Sequence, residues 1–412
     1  MKEKIFSFIE KSSDWALELE TELTRRPAMS PDSGGQGELD KCLFLEGWLK
    51  EHGISGLERF DAPDERAKGG VRPNLIATIA GRDITKSRLW VISHLDVVPP
   101  GELSLWKTDP WTAIYADDAP GKRVIGRGTE DNQQGLVSSV LAALAFVHQG
   151  LQPERTLKLL FAADEETGSA YGIDWLLKNH GDLFNTDDMV LIPDSGDNRG
   201  EGIEVAEKNL IWARFVTRGK QAHGSRPDQG VNAHLAGADL ALRLHYELSE
   251  KFSAHDSLFE PDFSTFQPTK KEPNVPNINT IPGEDVFCMD MRILPRYPAQ
   301  SILKEIDRIT AGVMTKHGVT VEYSLVQLKE SPATDADCPL VKKLSGAIRE
   351  VYAVNPRPIG IGGGTVGAYL RTFGLDCAVW ARIESTAHQP HEYALLENIL
   401  GDARVIALLG CA

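Results

Sequence analysis

The stretch that decides the fold is WVISHLD at residues 90–96, in which an apolar β-strand runs directly into His94 and Asp96. Two further stretches have the same form: LKLLFAADEE at residues 157–166 and MVLIPD at residues 189–194. In open α/β sheets, binding sites form beyond the carboxyl ends of the strands. Imidazole and carboxylate groups that collect there are suitable ligands for a divalent cation. Together, the three stretches predict an α/β sheet with a metal site at one edge.

A fourth acidic segment, GRGTED at residues 126–131, lies between the first two strands and just before a predicted helix over 133–149. It places Asp131 in a turn that follows two glycines. The adjacent acids Glu165 and Glu166 suit two roles at one site. One of them can bind a metal ion, while the other serves as a general base toward water.

Asp96 follows His94 by two residues, so the two side chains point to the same side of a strand. The Asp96 carboxylate can accept the imidazole N–H that faces away from a metal and thereby fix the tautomer. Taken singly, these residues have ordinary explanations: a structural histidine, a solvated acidic turn at 164–166, or a turn residue at Asp194. Their joint occurrence at strand ends favours a metal site.

Composition narrows the class of protein. A chain of 412 residues predicts about two domains. The formal net charge of −15 argues against nucleic acid or anionic lipid as a partner, since both need a basic face. The five cysteines are scattered and form no C-x-x-C pair, which is typical of reduced intracellular protein. With no apolar run of signal-peptide or membrane-span length, the prediction is a cytoplasmic protein.

The pattern along the chain predicts an insertion. Strands and helices alternate up to about residue 205, as in a largely parallel, helix-covered sheet. We expect a helix over 3–26 at the start and a loose stretch rich in proline and asparagine over 253–281. The sequence predicts a metal-binding catalytic domain formed by 1–206 and 327–412, interrupted by an α+β domain at 207–326.

At this point the chain resembles the M20 family of co-catalytic zinc peptidases and amidohydrolases. The matching motifs are SHLDVVP (93–99), GRGTED (126–131), DEETG (164–168), Asp194 and AHQPHE (387–392). The resemblance spans nearly the whole chain. It implies an α/β catalytic domain with a mixed, mostly parallel sheet, and an inserted ferredoxin-like domain that serves for dimerisation or as a lid.

The resemblance also implies two divalent metal ions, zinc in the first place, with cobalt or manganese as alternatives. The implied ligands are His94, Asp131, Glu166, Asp194 and His388. In this scheme Asp131 bridges the two ions, Glu165 is the general base and later the acid, and Asp96 orients His94. His223 resembles the family histidine that reaches the active site of the partner subunit and steadies the oxyanion.

Further residues resemble the contacts of the family to a substrate carboxylate. They are Asn279, Arg292, Gly363, Gly364 and Thr365, the last three in a glycine-rich run that begins at Gly360. An arginine is well suited to this task, because its planar fork can bind a carboxylate with two hydrogen bonds. Arg292 could instead pair with Asp290 or Glu284.

These features predict a two-metal hydrolase that cleaves an amide or peptide bond next to a free carboxylate, of exopeptidase or dipeptidase type. The alternative is an N-acyl-amino-acid deacylase, such as a succinyl-diaminopimelate desuccinylase or acetylornithine deacetylase. Asp194 favours the peptidase, since the resemblance implies Glu at that position in the deacylases. The expected partners are a small peptide or N-acyl amino acid and a second copy of the chain, bound through the inserted domain. A catalytically silent metal-binding protein is the remaining rival.

Three features stay open at this stage. The glycine-rich run lacks the lysine of a P-loop, so a nucleotide site is disfavoured. His391 competes with His388 as a ligand, and its role is undecided. Gln133 and Gln134 stand where the family resemblance implies lysine, which leaves their role undecided as well.

Overall fold

The computed structural model describes residues 1–411 and divides into two compact units. The first unit contains 1–205, 334–359 and 369 onward, and the second contains 206–333 and 360–368. The helices are α1 Lys2–Glu10, α2 Ser13–Thr24, α3 Leu39–Glu51, α4 Gly135–His148, α5 Ile173–Asn179, α6 Ala233–Lys251, α7 Ala299–His317, α8 Pro339–Tyr352, α9 Gly367–Phe373 and α10 Leu396–Gly410. None of the helices within 1–411 is both long enough and apolar enough to cross a membrane.

The strands form one large sheet, one four-stranded sheet and two small ribbons. They are β1 Leu57–Pro63, β2 Val71–Ile79, β3 Leu89–His94, β4 Ile114–Asp118, β5 Gly121–Ile125, β6 Leu157–Ala162, β7 Met189–Asp197, β8 Gly202–Glu207, β9 Asn209–Arg218, β10 Ala222–His223, β11 Thr265–Lys271, β12 Thr280–Ile281, β13 Glu284–Ile293, β14 Thr320–Lys329, β15 Arg357–Ile361, β16 Asp376–Arg382 and β17 Tyr393–Leu395.

The large sheet has the strand order β1-β2-β6-β3-β7-β16-β8-β15. The pairs β6/β3, β3/β7 and β7/β16 are parallel, whereas β1/β2, β2/β6 and β16/β8 are antiparallel. The four central strands therefore end at one common edge. This mixed sheet with a parallel centre and helices around it confirms the predicted α/β class.

Helix α4 packs closely against this sheet. Its residues 135–146 are all buried, and it lies within the range 133–149 where the sequence predicts a helix. Its first residue, Gly135, lies so close to β7 that a Cβ atom there would be 2.0 Å from the carbonyl oxygen of Pro193. Glycine is therefore needed where the helix begins beside the strand.

The second unit is a four-stranded antiparallel sheet in the order β11-β13-β9-β14. Helices α6 and α7 supply the apolar side chains that pack with it, including Leu240, Leu244, Ile302 and Ile306, all of them buried. The chain order β-α-β-β-α-β with this strand order is the ferredoxin-like arrangement. The structure thus confirms the predicted α+β class of the inserted segment.

Two expectations about single elements were wrong. The helix expected over 3–26 is two helices, because the Ser12 hydroxyl donates a hydrogen bond of 2.8 Å to the carbonyl of Phe8 and closes the first one. The stretch 253–281 contains a strand, β11. This strand lies at an edge of the sheet and has a register shift after Pro268, a place where a sheet tolerates proline.

The compact units differ from the domain boundaries expected from the sequence. Residues 206, 327–333 and 360–368 belong to the second unit, whereas the sequence assigned them to the first domain. In the second unit, the backbone N–H of Lys208 donates to the carbonyl of Ile361, and Lys329 Nζ donates to the carbonyl of Thr365 at 3.2 Å. These hydrogen bonds hold the glycine-rich run within that unit.

A buried ion network fixes the turn that follows β6. Arg72, on β2, donates from Nε to Glu38 at 2.7 Å and from Nη2 to Asp164 at 3.2 Å. The Arg72 and Glu38 side chains are fully buried, and that of Asp164 is 2% exposed. Asp164 opens the acidic turn, so the network positions the residues that follow it.

We expect Glu38→Ala to lower the free energy of unfolding by about 3 kcal/mol, because removal of one partner from a buried ion pair leaves an uncompensated charge. Lys178→Ala is the control, since it removes an exposed pair with Asp174 on helix α5 and should cost less than about 1 kcal/mol. Urea denaturation of both variants measures the difference. Equal, small losses would contradict the structural role of the network.

Candidate metal centre

The candidate centre lies at the carboxyl edge of the parallel strands. His94 is the last residue of β3 and lies opposite Ala162, the last residue of β6. Glu165 and Glu166 occupy the turn that follows β6, and Asp194 lies within β7. Strand order therefore brings together residues that are far apart in sequence, as expected for the carboxyl edge of such a sheet.

Asp131 lies between the two histidines of the centre. Its Oδ1 is 3.0 Å from Nε2 of His94, and its Oδ2 is 3.1 Å from Nε2 of His388. Glu166 is 3.2 Å from the same His388 nitrogen, and Asp194 is 3.4 Å from the same His94 nitrogen. One carboxylate is thus shared by two His–acid pairs. Of these residues, His94, Asp131 and Glu166 each have a ligand atom within 4.8 Å of the others.

Asp96 contacts both His94 and the acidic turn, whereas the sequence indicated only the contact with His94. Nδ1 of His94 lies 3.0 Å from the backbone carbonyl of Asp96 and 3.4 Å from its carboxylate. The two oxygens of that carboxylate accept the backbone N–H groups of Glu165 and Glu166, both at 3.0 Å. Asp96 therefore holds the acidic turn as well as the imidazole.

The local backbone sets the geometry of the acidic turn that carries Glu165 and Glu166. Strand β6 ends at Ala162, and Asp164 has a φ of 62°, in the left-handed region. The directions of the two side chains are therefore set by a turn.

Asn132 is a residue of the centre that the sequence analysis missed. Its Nδ2 donates to Asp194 Oδ1 at 2.6 Å and to the carbonyl of Pro193 at 2.8 Å, while its Oδ1 accepts the backbone N–H of His94 at 3.3 Å. Asn132 thus links β3 to β7 beneath the two side chains. The only signal in the sequence was its position directly after Asp131.

The charge balance of the centre fits a bound cation. Burial, and then the negative charge of Asp194, raise the pKa of Glu165 well above its usual value. Hydrogen bonds to Asp131 and Glu166 raise the pKa of His388 to about 10. Although burial opposes it, the pKa of His94 is also raised, by Asp131 and Asp194. The acids exceed the cationic groups, and a nitrogen–oxygen donor set of this kind suits zinc and related divalent ions.

The second unit brings other predicted residues together. His223 pairs with Thr280 in the ribbon β10/β12, so Asn279 is adjacent to it, and the Asn279 carbonyl accepts the N–H of Gly224 at 2.7 Å. His223 is exposed, and its Nδ1 lies 2.8 Å from the Ser225 hydroxyl.

Arg292 lies against the glycine-rich run. It donates to the Gly362 carbonyl at 2.6 Å and, in a bidentate pair, to Asp290 at 2.6 and 2.9 Å. Gly363 and Gly364 are exposed, whereas Thr365 is buried and donates its hydroxyl hydrogen to Glu207 at 2.7 Å. The alternative pairing of Arg292 with Asp290 is therefore present.

The three open residues now have positions. The ring of His391 lies 5.6 Å from that of Trp106, whereas the Nε2 of His388 is the one that faces Asp131. Gln133 accepts the Thr24 hydroxyl at 2.9 Å, and Gln134 donates to Asp402 at 3.1 Å. Both glutamines are buried and stabilise the packing below the centre.

The chain belongs to peptidase family M20/M25/M40, whose model matches residues 90–410. It is therefore a metallohydrolase that acts on carbon–nitrogen bonds. This confirms the family that the sequence motifs indicated.

Relatives cover almost the whole chain. An uncharacterized metallohydrolase of Methanococcus maripaludis is 36% identical over 411 residues, which cover 95% of this chain and 97% of that protein. A succinyl-diaminopimelate desuccinylase of Shewanella loihica is 25% identical over 393 residues, with 94% and 97% covered. A dipeptidase structure from Saccharomyces cerevisiae has the same fold, with a TM-score of 0.73, 16% identity, and 100% of this chain and 98% of that chain covered.

Proposed function

We propose that this protein is a two-metal hydrolase that cleaves an amide or peptide bond next to a free carboxylate, as an exopeptidase or dipeptidase. The observation that carries the proposal is the Asp131 carboxylate, with one oxygen 3.0 Å from His94 and the other 3.1 Å from His388. A shared carboxylate between two separate nitrogen donors is the arrangement expected for a pair of ions about 3.5–4 Å apart.

In this proposal the residues divide into two ligand groups. His94 and Asp194 hold one ion, Glu166 and His388 hold the other, and Asp131 binds both. We favour zinc because the donors are imidazole and carboxylate, with cobalt and manganese as alternatives. When bound, a pair of such ions lowers the pKa of water and polarises the carbonyl of the substrate.

Glu165 is the proposed proton carrier. Its backbone is held by Asp96, and among residues 1–411 no hydrogen bond or ion pair holds its carboxylate. In the metal-free protein, burial and then the negative charge of Asp194 raise the pKa of Glu165 well above the usual value. Its position supports the role, because a carboxylate that no described residue holds, next to the proposed ligand Glu166, is suited to take a proton from water and return it to the leaving amine. A ligand role is left to Glu166, which faces His388.

The substrate carboxylate would bind in the second unit, at Arg292 and the glycine-rich run. A guanidinium has five N–H donors, and Asp290 and the Gly362 carbonyl receive three of them. One N–H on each terminal nitrogen is left for a further acceptor. We assign Asn279, Gly363, Gly364 and Thr365 to the same task.

A cytoplasmic site of action is supported by the five cysteines, none of which forms a disulfide in the described chain.

The alternative substrate class is N-acyl amino acids, because a desuccinylase is 25% identical over nearly the whole chain. The test is a panel of dipeptides, N-acetyl and N-succinyl amino acids, and the matching amides without a free carboxylate, assayed with zinc, cobalt and manganese. We expect the highest kcat/KM on dipeptides and a large loss without the carboxylate. Turnover of the acylated substrates alone would decide for the deacylase.

We expect Glu165→Ala to retain both metal ions and to lose at least about 100-fold in kcat, because loss of a general base typically costs that much. Metal content by elemental analysis and turnover of the best substrate measure the two effects. Glu201→Ala is the control, since this acid is outside the centre and pairs with the exposed Arg199. Unchanged turnover in Glu165→Ala would refute the assignment. If the wild type binds metal but hydrolyses no amide, the rival hypothesis of a catalytically silent metal-binding protein would be favoured.

We further propose that two copies associate through the second unit. Leu235, Leu242 and Tyr246 are 59, 57 and 65% exposed on the face of α6 away from its buried residues. Strand β14 is an edge strand with exposed Leu325, Val326 and Leu328. Exposed apolar stripes and open strand edges are typical of surfaces that another chain covers. In a twofold dimer, His223 of each copy would serve the centre of the other.

A mixing experiment tests this shared site. We expect His223→Ala and Glu165→Ala to be nearly inactive alone, and an equal mixture, after subunit exchange, to recover roughly a quarter of wild-type activity, since a mixed twofold dimer contains one complete site. Size-exclusion chromatography with light scattering confirms the dimer. No recovery in exchanged dimers would show that His223 acts within its own chain or outside the site.

A further inference from the structure

Two buried glutamates next to the centre are not explained by catalysis or by metal binding. Glu130 directly precedes Asp131, and Glu392 lies in the loop that carries His388. They are 3% and 0% exposed. Each side chain makes its hydrogen bonds to the loop that bears the other ligand.

Glu392 binds the loop of Asp131. Its Oε1 accepts the backbone N–H groups of Glu130 and Asp131, both at 3.0 Å. Its Oε2 pairs with the buried guanidinium of Arg127 in the same loop. The backbone N–H of Gly126 also donates to the Glu392 carbonyl at 2.9 Å, so side chain and backbone hold the same segment.

Glu130 binds the loop of His388 in return. Its Oε1 accepts the backbone N–H of Glu384 at 2.6 Å. Its Oε2 accepts the backbone N–H of Thr386, the Thr386 hydroxyl at 2.9 Å and the backbone N–H of Ala387 at 2.8 Å. The last of these donors is the residue directly before His388.

We propose that Glu130 and Glu392 form a reciprocal clamp that sets Asp131 and His388 at the spacing needed to share one metal ion. The inference rests on the proposed two-metal site. Glu130 and Glu392 are positioning residues, because their carboxylate oxygens already accept hydrogen bonds from the two ligand loops. A buried carboxylate is costly unless its acceptors are filled, and here the ligand loops themselves supply the donors.

The Glu130 side of the clamp acts on one half of the centre, whereas Glu392 holds Asp131, which is assigned to both ions. Asp194 and His94 lie on strands and are joined by Asn132, so their geometry does not depend on Glu130. His388 has a φ of 64° in an irregular loop, and the Glu130 side chain holds the segment directly before it. Loss of the Glu130 contacts should therefore affect the ion bound by Glu166 and His388 more than the other ion.

The test is Glu130→Gln, a substitution of nearly the same shape that places an N–H donor against backbone N–H donors. Zinc is titrated into the metal-free protein by calorimetry with a competing chelator, and thermal unfolding of the metal-free form is recorded. We expect one of the two ions to bind about 10–100-fold more weakly, the usual effect of losing a group that orients a ligand, and the other to bind within about threefold of the wild type.

Asp188→Asn is the matched control. Asp188 is likewise buried and accepts the backbone N–H groups of Arg88 and Asn185, at 2.9 and 3.0 Å. It lies at the amino ends of β3 and β7, the opposite edge of the sheet. We expect this variant to lose thermal stability while it keeps both zinc affinities.

Thr386 provides a second pair of variants if Glu130→Gln fails to fold. Thr386→Val removes one donor to Glu130, and Thr386→Ser keeps it. We expect the same single weakened ion in the valine variant and recovery in the serine variant. The clamp would be overturned if both ions bind Glu130→Gln with unchanged affinity, or if both are weakened equally. It would also be overturned if Asp188→Asn loses as much zinc affinity as Glu130→Gln does. A wild-type protein that binds fewer than two ions would instead overturn the two-metal site itself, and the clamp with it.

Discussion

The centre depends on a surplus of carboxylates held close together at the carboxyl edge of the sheet. Asp131 lies between two imidazoles, and Glu165, Glu166, Asp194 and Asp96 surround them. In the protein alone, the histidine pKa values must rise to balance this charge, as they do. These carboxylates repel one another, yet three parts of the fold keep them close together. They are the ends of the parallel strands, the turn after β6 and the loop before His388.

The sequence predicted the α/β sheet and indicated which residues would lie together at its edge. Continuous apolar runs predicted strands that lead into His94, into the acidic turn at 164–166 and into Asp194, and parallel strands place such ends at one edge. It could not show what Asn132, Glu130 and Glu392 do, because their partners are mostly backbone groups in loops far away in sequence. The sequence alone does not distinguish a glutamate that accepts hydrogen bonds from backbone N–H groups from one that binds a cation.

The second unit contains a strand, β11, that the sequence did not predict. Proline and asparagine made 253–281 a predicted loop, yet Phe266 is fully buried and pairs with Met291 of β13. Local composition indicates the cost of forming a strand but not the gain from tertiary packing. For β11 that gain outweighs the cost, because the strand lies at a sheet edge, where proline is tolerated.

The two halves of the centre differ in how they are built. His94 is 3% exposed on a strand, whereas His388 is 54% exposed on a loop. Strand geometry fixes the first half through the sheet, with one additional amide, Asn132. A loop residue has no ladder to hold it and is more mobile, so the second half needs side-chain hydrogen bonds for the same precision. This difference accounts for the position of Glu130 and Glu392, whose side chains join the loops of Asp131 and His388.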